Sequence, residues 1–173
     1  AAEFPEDTDV ETLVVFTRDR TETVDRVADD YGAAVVVIPE EVRVVERVLV
    51  PVRGDVNLDR VLSVVAALLH ESEASVTLFH AAPAGDEDPS VGTTLLSGAA
   101  DRLADAGIDD NRIDTVAVES DTPIDDIVDA ATNHDVLVLG ESEPSLVAQI
   151  LGGAPSRIIR ESGRPVLVVR DVE

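Results

Sequence analysis

Short strands alternating with amphipathic helices predict an α/β protein: a parallel sheet, doubly wound, with helices on both faces. Three observations carry this. Ala33–Ile38 (AAVVVI), Arg47–Val52 (RVLVPV) and Val136–Leu139 (VLVL) are apolar or nearly so throughout, as strands buried on both faces must be. Segments with apolar residues at three- and four-residue spacing separate the strands, which makes them helices. Gly32, Gly107 and Gly140 fall at the ends of such segments.

Each element follows from its residues. The first eleven residues are polar, and Thr12–Thr17 (TLVVFT) is a β-branched run that reads as a strand. Thr21–Tyr31 places Val24, Val27, Ala28 and Tyr31 on one helical face, with Thr21 as N-cap and Gly32 as the stop. Ala33–Ile38 is a strand and Pro39–Glu46 a linker. Arg47–Val52 is the next strand. Asn57 is placed to cap a helix reaching Glu71, with Leu58, Val61, Leu62, Val65, Leu68 and Leu69 on its buried face. Ser75–His80 is a strand, Ala81–Pro89 a loop, and Ser90–Ala106 a helix stopped by Gly107. Arg112–Val118 is a strand, Pro123–His134 a helix with proline in its first turn, and Val136–Leu139 a strand ending at Gly140. Ser145–Leu151 and Pro155–Glu161 are short helices, and Pro165–Val169 is the last strand.

The organisation predicted is a strand–helix–strand appendage and linker over residues 1–46, then an α/β domain over residues 47–173. Glu11–Glu40 and Asp114–Glu141 share one order: strand, polar turn, helix, apolar strand. Two readings of this stand. Any two βαβ units look alike, or residues 12–39 are the remnant of a preceding repeat.

Charge narrows the function. The chain has 36 Asp+Glu against 13 Lys+Arg, a net charge of -23, and every base is an arginine. Such a field repels phosphate backbones, which excludes nucleic-acid binding through a basic patch. The absence of Cys excludes a disulfide scaffold. No apolar run approaches the ~20 residues that span a bilayer, and no signal peptide is present, so a cytoplasmic setting is expected. A carboxylate-covered surface suits a salt-adapted cytosol, where the screening length falls to ~3 Å at 1 M salt. The alternative is an acidic face that binds cations or a basic partner.

Few residues offer chemistry. His70, His80 and His134 have no metal-ligand spacing, so no zinc site is expected. His70 and His134 fall at helix ends, where a cation suits the dipole. His80 ends a strand, as a structural polar cap or a catalytic group. Asp86-Glu87-Asp88 is a charged loop. There is no nucleophile elbow, P-loop or dinucleotide fingerprint, and no catalytic residue is assigned. Ligands of such sheets sit at the carboxyl ends of strands. Here those ends are Pro51–Asp55, His80–Pro83 and Gly140–Ser142.

From Arg47 to Val169 the chain resembles the universal stress protein family. RVLVPVRGDVNLDRVLSVVAAL is similar to its first strand, loop and helix. SVTLFHAAP is similar to its second strand, DTPIDDIVDAATNHDVLVLG to its third helix and fourth strand, and GGAPSRIIRESGRPVLVV to its closing helix and strand. The resemblance implies a five-stranded sheet of the adenine-nucleotide α-hydrolase-like type. It implies a sensing or regulatory role, with weak ATP hydrolysis at most. It also implies a homodimer paired through residues 165–169. Similar haloarchaeal modules form the soluble tails of amino-acid transporters, so a membrane transporter domain upstream is a further expectation.

Some members of that family bind ATP through a loop G-x-x-G-x9-G-[ST] after the fourth strand. Its glycines let backbone N–H groups approach phosphates at a helix N-terminus. Gly140 and Gly153 keep the first and third positions, Glu143 replaces the second glycine, Ala154 replaces the hydroxyl residue, and Ser156 follows. Arg53 stands where ATP-binding members carry a nucleoside-holding Asp. The expected cleft is therefore a degenerate one lined by Pro51, Val52, Arg53, His80, Gly140, Glu143, Gly153, Ala154 and Ser156. No cofactor is expected there; the alternative is an ATP- or AMP-binding switch. Arg53 has two readings: an ion pair with Glu141 or Glu143 that closes the cleft, or a cation that binds a small anion.

Overall fold

The computed structural model describes residues 13–15, 20–38, 40, 44–54, 57–83, 85, 89–140 and 154–170. Its sheet grows outward from the most apolar segments. β2 (Arg47–Pro51) and β5 (Val136–Gly140) run parallel, side by side, and Val48, Leu49, Val50, Val136, Leu137, Val138 and Leu139 are all buried. β3 (Ser75–Ala82) pairs with β2 and β4 (Ile113–Glu119) with β3, while β6 (Val166–Val169) pairs with β5; all these pairs are parallel. β4 is an edge, and its exposed Asp114 and Glu119 discourage further pairing there.

The other edge differs from expectation. β1 (Val35–Ile38) pairs antiparallel with β6, in a register running from Val35 opposite Val169 to Ile38 opposite Val166. The sheet thus has six strands in the order β1-β6-β5-β2-β3-β4, not five, and is mixed. The side of β6 expected to meet a second copy carries this strand of the same chain. Of the predicted strand over residues 12–17, Leu13–Val15 has no regular structure, and the other three residues lie outside the described set.

Five helices are described: α1 (Arg20–Asp30), α2 (Leu58–His70), α3 (Pro89–Asp105), α4 (Pro123–Ala131) and α5 (Ala154–Ser162). α2 and α3 cover one face through Val61, Leu62, Val65, Leu69, Leu96, Ala99 and Leu103. α4 and α5 cover the other through Ile124, Ile127, Val128, Ala131 and Ile158. Fully buried leucines such as Leu49, Leu69, Leu78 and Leu137 contribute about 2 kcal/mol each. The predicted face of α2 is the buried one, with Leu68 half-buried and Ala66 added to it. The predicted helix over Ser145–Leu151 lies outside the described residues.

Helix ends are satisfied by side chains that periodicity does not reveal. Nε2 of His70, at the end of α2, donates to Ala106 O at 3.0 Å. Nδ1 of His134 donates to Ala130 O at 2.7 Å, and its Nε2 meets Thr77 Oγ1 at 2.9 Å. α4 itself stops at Ala131, short of the predicted His134. Asn57 precedes α2 in the left-handed region, φ 58°, and makes no side-chain cap; its Nδ2 instead donates to Val169 O at 3.1 Å.

Asp135 ties the start of β2 to the start of β5. Its Oδ2 accepts the N–H of Glu46 at 2.9 Å and of Arg47 at 2.8 Å. Partial burial pushes this carboxyl up. The two N–H donors, with the charges of Arg47 and Arg164, outweigh it and hold the carboxyl below 3.8. A lowered folded-state value stabilises the fold above the ordinary carboxylate range, and that contribution is lost as pH falls through it. Asp135→Asn should therefore reduce stability by about 1 kcal/mol at neutral pH, with the gap to the parent chain closing in acid. Denaturant unfolding of both chains at stepped pH checks this; a gap that widens in acid contradicts it.

Candidate functional site

The strand order reverses between β2 and β5: from β2 the chain proceeds outward to β3 and β4, from β5 to β6. The crevice at such a reversal, beyond the carboxyl ends, is where these sheets take ligands. Extending the β2–β3 register by one residue places Val52 level with His80, and extending the β2–β5 register by three places it level with Gly140. The structure thus brings together Pro51, Val52, Arg53, His80 and Gly140. Ala154 and Ser156 lie in the first turn of α5, whose leading N–H groups have no partner within the helix. Glu143 and Gly153 lie outside the described residues, as does Glu141.

The floor of the crevice is built tightly. Val52 is buried, its N–H donates to Phe79 O at 2.8 Å, and its carbonyl lies 2.8 Å from His80 Nδ1. A carbonyl only accepts, so the imidazole carries a proton on Nδ1. The His80 ring is itself buried against Gly92 of α3. A Cβ at Gly92 would lie 2.5 Å from ring Cδ2 and 3.1 Å from Nε2, so only glycine fits. On the other side, a Cβ at Gly140 would lie 2.9 Å from Val61 Cγ2, so glycine lets the end of β5 press on α2. His80 therefore acts here as a clamp on the Val52 carbonyl.

The rim is different. Arg53 and Gly54 are exposed, and among the described residues no carboxylate pairs with Arg53. The groups offered to a ligand are a guanidinium and the amides of a helix start, which suit a small anion. Among the described residues no three His, Asp or Glu cluster to hold a metal ion.

Residues 45–170 match the model of the universal stress protein family. The chain belongs to that family. The matched span takes in all five parallel strands and the crevice. No curated protein matches the chain. Among solved structures, a universal stress protein in complex with cAMP is 25% identical, with a TM-score of 0.61 over 74% of this chain and 98% of that one. The universal stress protein from Archaeoglobus fulgidus in complex with dAMP is 23% identical, with a TM-score of 0.59 over 73% of this chain and 99% of that one. A family protein from Arabidopsis thaliana with AMP bound is 17% identical, with a TM-score of 0.53 over 72% and 91%. The latter two likenesses show the fold alone. No described helix of this universal stress protein domain is long and apolar enough to cross a membrane.

Two contacts near the crevice are not written in the local sequence: the packing of Gly92 on His80, and the bond from Asn57, expected as a helix cap, to Val169 O. A glycine inside the helical pattern at Gly92 was the available signal, since glycine there weakens a helix unless something lies close. For Asn57 no local signal exists, because its partner Val169 is 112 residues away.

Proposed function

We propose that this universal stress protein domain is a non-enzymatic regulatory module whose crevice does not hold ATP. One observation carries the reading: Arg53 stands exposed at the end of β2, the place of the nucleoside-holding Asp in ATP-binding members. A guanidinium cannot accept a hydrogen bond from ribose or adenine. Glu143 and Ala154 work in the same direction, putting a carboxylate in the phosphate loop and removing a hydroxyl donor. Like charges at ~4 Å cost on the order of 4 kcal/mol at an effective dielectric near 20. The residues present therefore do not fit a triphosphate. Titration calorimetry with ATP and Mg²⁺ in about 1 M KCl tests this: no saturable heat is expected, and saturation at micromolar ATP overturns it.

A second reading has its own support. The solved relative at 25% identity is in complex with cAMP. A single phosphate brings less negative charge to Glu143 than a triphosphate, and Arg53 can pair with it. Under this reading the module is a switch for a nucleoside monophosphate, and AMP or cAMP gives saturable heat that Arg53→Ala abolishes. The setting we propose is a salt-adapted cytosol, on the net charge of -23 and the all-arginine base content. The soluble tail of an amino-acid transporter is one form of it. Apolar segments of ~20 residues upstream of Ala1 in the full gene product would support that form.

A further inference from the structure

β4 leaves a pairing edge open along the middle of its length. Ser120 N–H donates to Ala82 O at 2.9 Å, which fixes the phase of the β3–β4 ladder. Even-numbered residues of β4 therefore bond β3, while Thr115 and Ala117 turn both N–H and C=O outward. Among the described residues no strand lies on that side. The side chains are open as well. Asp114, Thr115, Val116 and Ala117 are all exposed, so neither face of the strand is covered there. Val116, 38% exposed, is an apolar group left at the surface beside buried Phe79.

The same chain carries a strand-forming segment that joins no strand. Leu13–Val15 is the described part of the β-branched run over residues 12–17, and it has no regular structure. All three side chains are exposed, Val14 at 74%. The segment leads into α1, which Arg170 holds beside β6 through Asp29. β4 lies at the opposite edge of the sheet, about 24 Å from β1. The stretch from Val15 to Arg20 reaches about 17 Å when fully extended. The β4 edge that this segment meets is therefore that of another copy.

We propose that the outer edge of β4 docks the segment Leu13–Val15 of a second copy as an added strand. Parallel pairing with Val15 level with Val116 lets Val15 N–H donate to Thr115 O, and Ala117 N–H to Val15 O. The same register brings Arg18 and Arg20 to the end of β4 that carries Glu119 and Asp121, and it opposes no like charges. The carboxylates of this edge thus turn away other strands of this acidic chain and admit the one that brings arginine. The contact joins two different surfaces, so it is heterologous and extends head to tail. High salt favours it, because it screens two strongly acidic chains from each other. The inference rests on neither reading of the crevice.

The test uses the full chain and two proline variants, Val15→Pro and Ala117→Pro. Each removes an N–H that the described fold leaves unbonded, the position an edge strand tolerates. Light scattering in about 1 M KCl should show the parent's mass climbing with concentration and each proline chain staying monomeric. Mixed, the two proline chains should give twice the monomer mass, since one keeps a whole β4 edge and the other a whole segment. The chain has no native cysteine, so Val15→Cys and Val116→Cys chains can also be mixed and oxidised. Neighbouring strands bring such a pair within disulfide reach. The unlike disulfide should exceed either like one severalfold. If a proline unfolds its chain, the disulfides decide alone. A proline mixture that stays monomeric, with both chains folded by circular dichroism, overturns the proposal. So do disulfides in random proportion, or a dominant like pair at residue 116, which would mean that two β4 edges meet.

Discussion

Arg112→Ala lowers the unfolding free energy by about 3 kcal/mol. The turn between α2 and β3 leaves backbone carbonyls that no helical N–H can reach. One side chain collects them. Arg112 Nε donates to Ala74 O at 2.8 Å, and Nη2 donates to Leu69 O and Ser72 O at 2.9 Å each. Ala74 is 2% exposed, so its carbonyl finds little water when the guanidinium is gone. A charge-assisted hydrogen bond is worth about 1.5–3 kcal/mol, and an orphaned buried acceptor about 1–3, without simple additivity. The cation also suits the C-terminal end of α2. Arg112→Lys should recover only part of the loss, since one ammonium cannot span the fork. Denaturant melts of the three chains check this; a loss below ~0.5 kcal/mol, the ordinary surface value, would sink it.

Gly92→Ala destabilises by about 2 kcal/mol, although alanine in place of glycine within a helix ordinarily stabilises by ~1 kcal/mol. The new methyl would meet the His80 ring at 2.5 Å, and the ring cannot turn aside without releasing the Val52 carbonyl. The sign should reverse once the ring is removed. In a His80→Ala background, Gly92→Ala is expected to be neutral or stabilising, so the two changes are strongly coupled. Additive losses in the double-mutant cycle would show that Gly92 does not pack on His80. The outcome bears on function as well, because Val52 forms the floor of the crevice.

The parallel core was legible because it depends on local pattern. Continuous apolar runs fix β2 and β5, and the three- and four-residue spacing of Leu58, Val61, Leu62, Val65 and Leu69 fixes the buried face of α2. Glycines mark helix ends through their own conformation, as Gly32 and Gly107 do. What was not legible is direction and distance. AAVVVI marks a strand, but the burial on both faces that it suggests fails, since Val35–Ile38 is at most half-buried with Val37 exposed, and nothing in it says that it runs antiparallel along a strand 131 residues away. The Arg112 clamp and the Asn57–Val169 bond join segments dozens of residues apart, beyond the reach of any periodic pattern. In the crevice, Val52, His80 and Gly140 could be assigned to strand ends by sequence, yet the packing of His80 on Gly92 required coordinates.

The central claim is that Arg53, Glu143 and Ala154 keep ATP out of a cleft whose scaffold is otherwise that of the family. Reversing them is the direct trial. Calorimetric titration with ATP and Mg²⁺ in about 1 M KCl would compare the parent with Arg53→Asp/Glu143→Gly/Ala154→Ser. Saturable binding by the triple variant alone is the predicted result. Micromolar saturation by the parent would contradict the account.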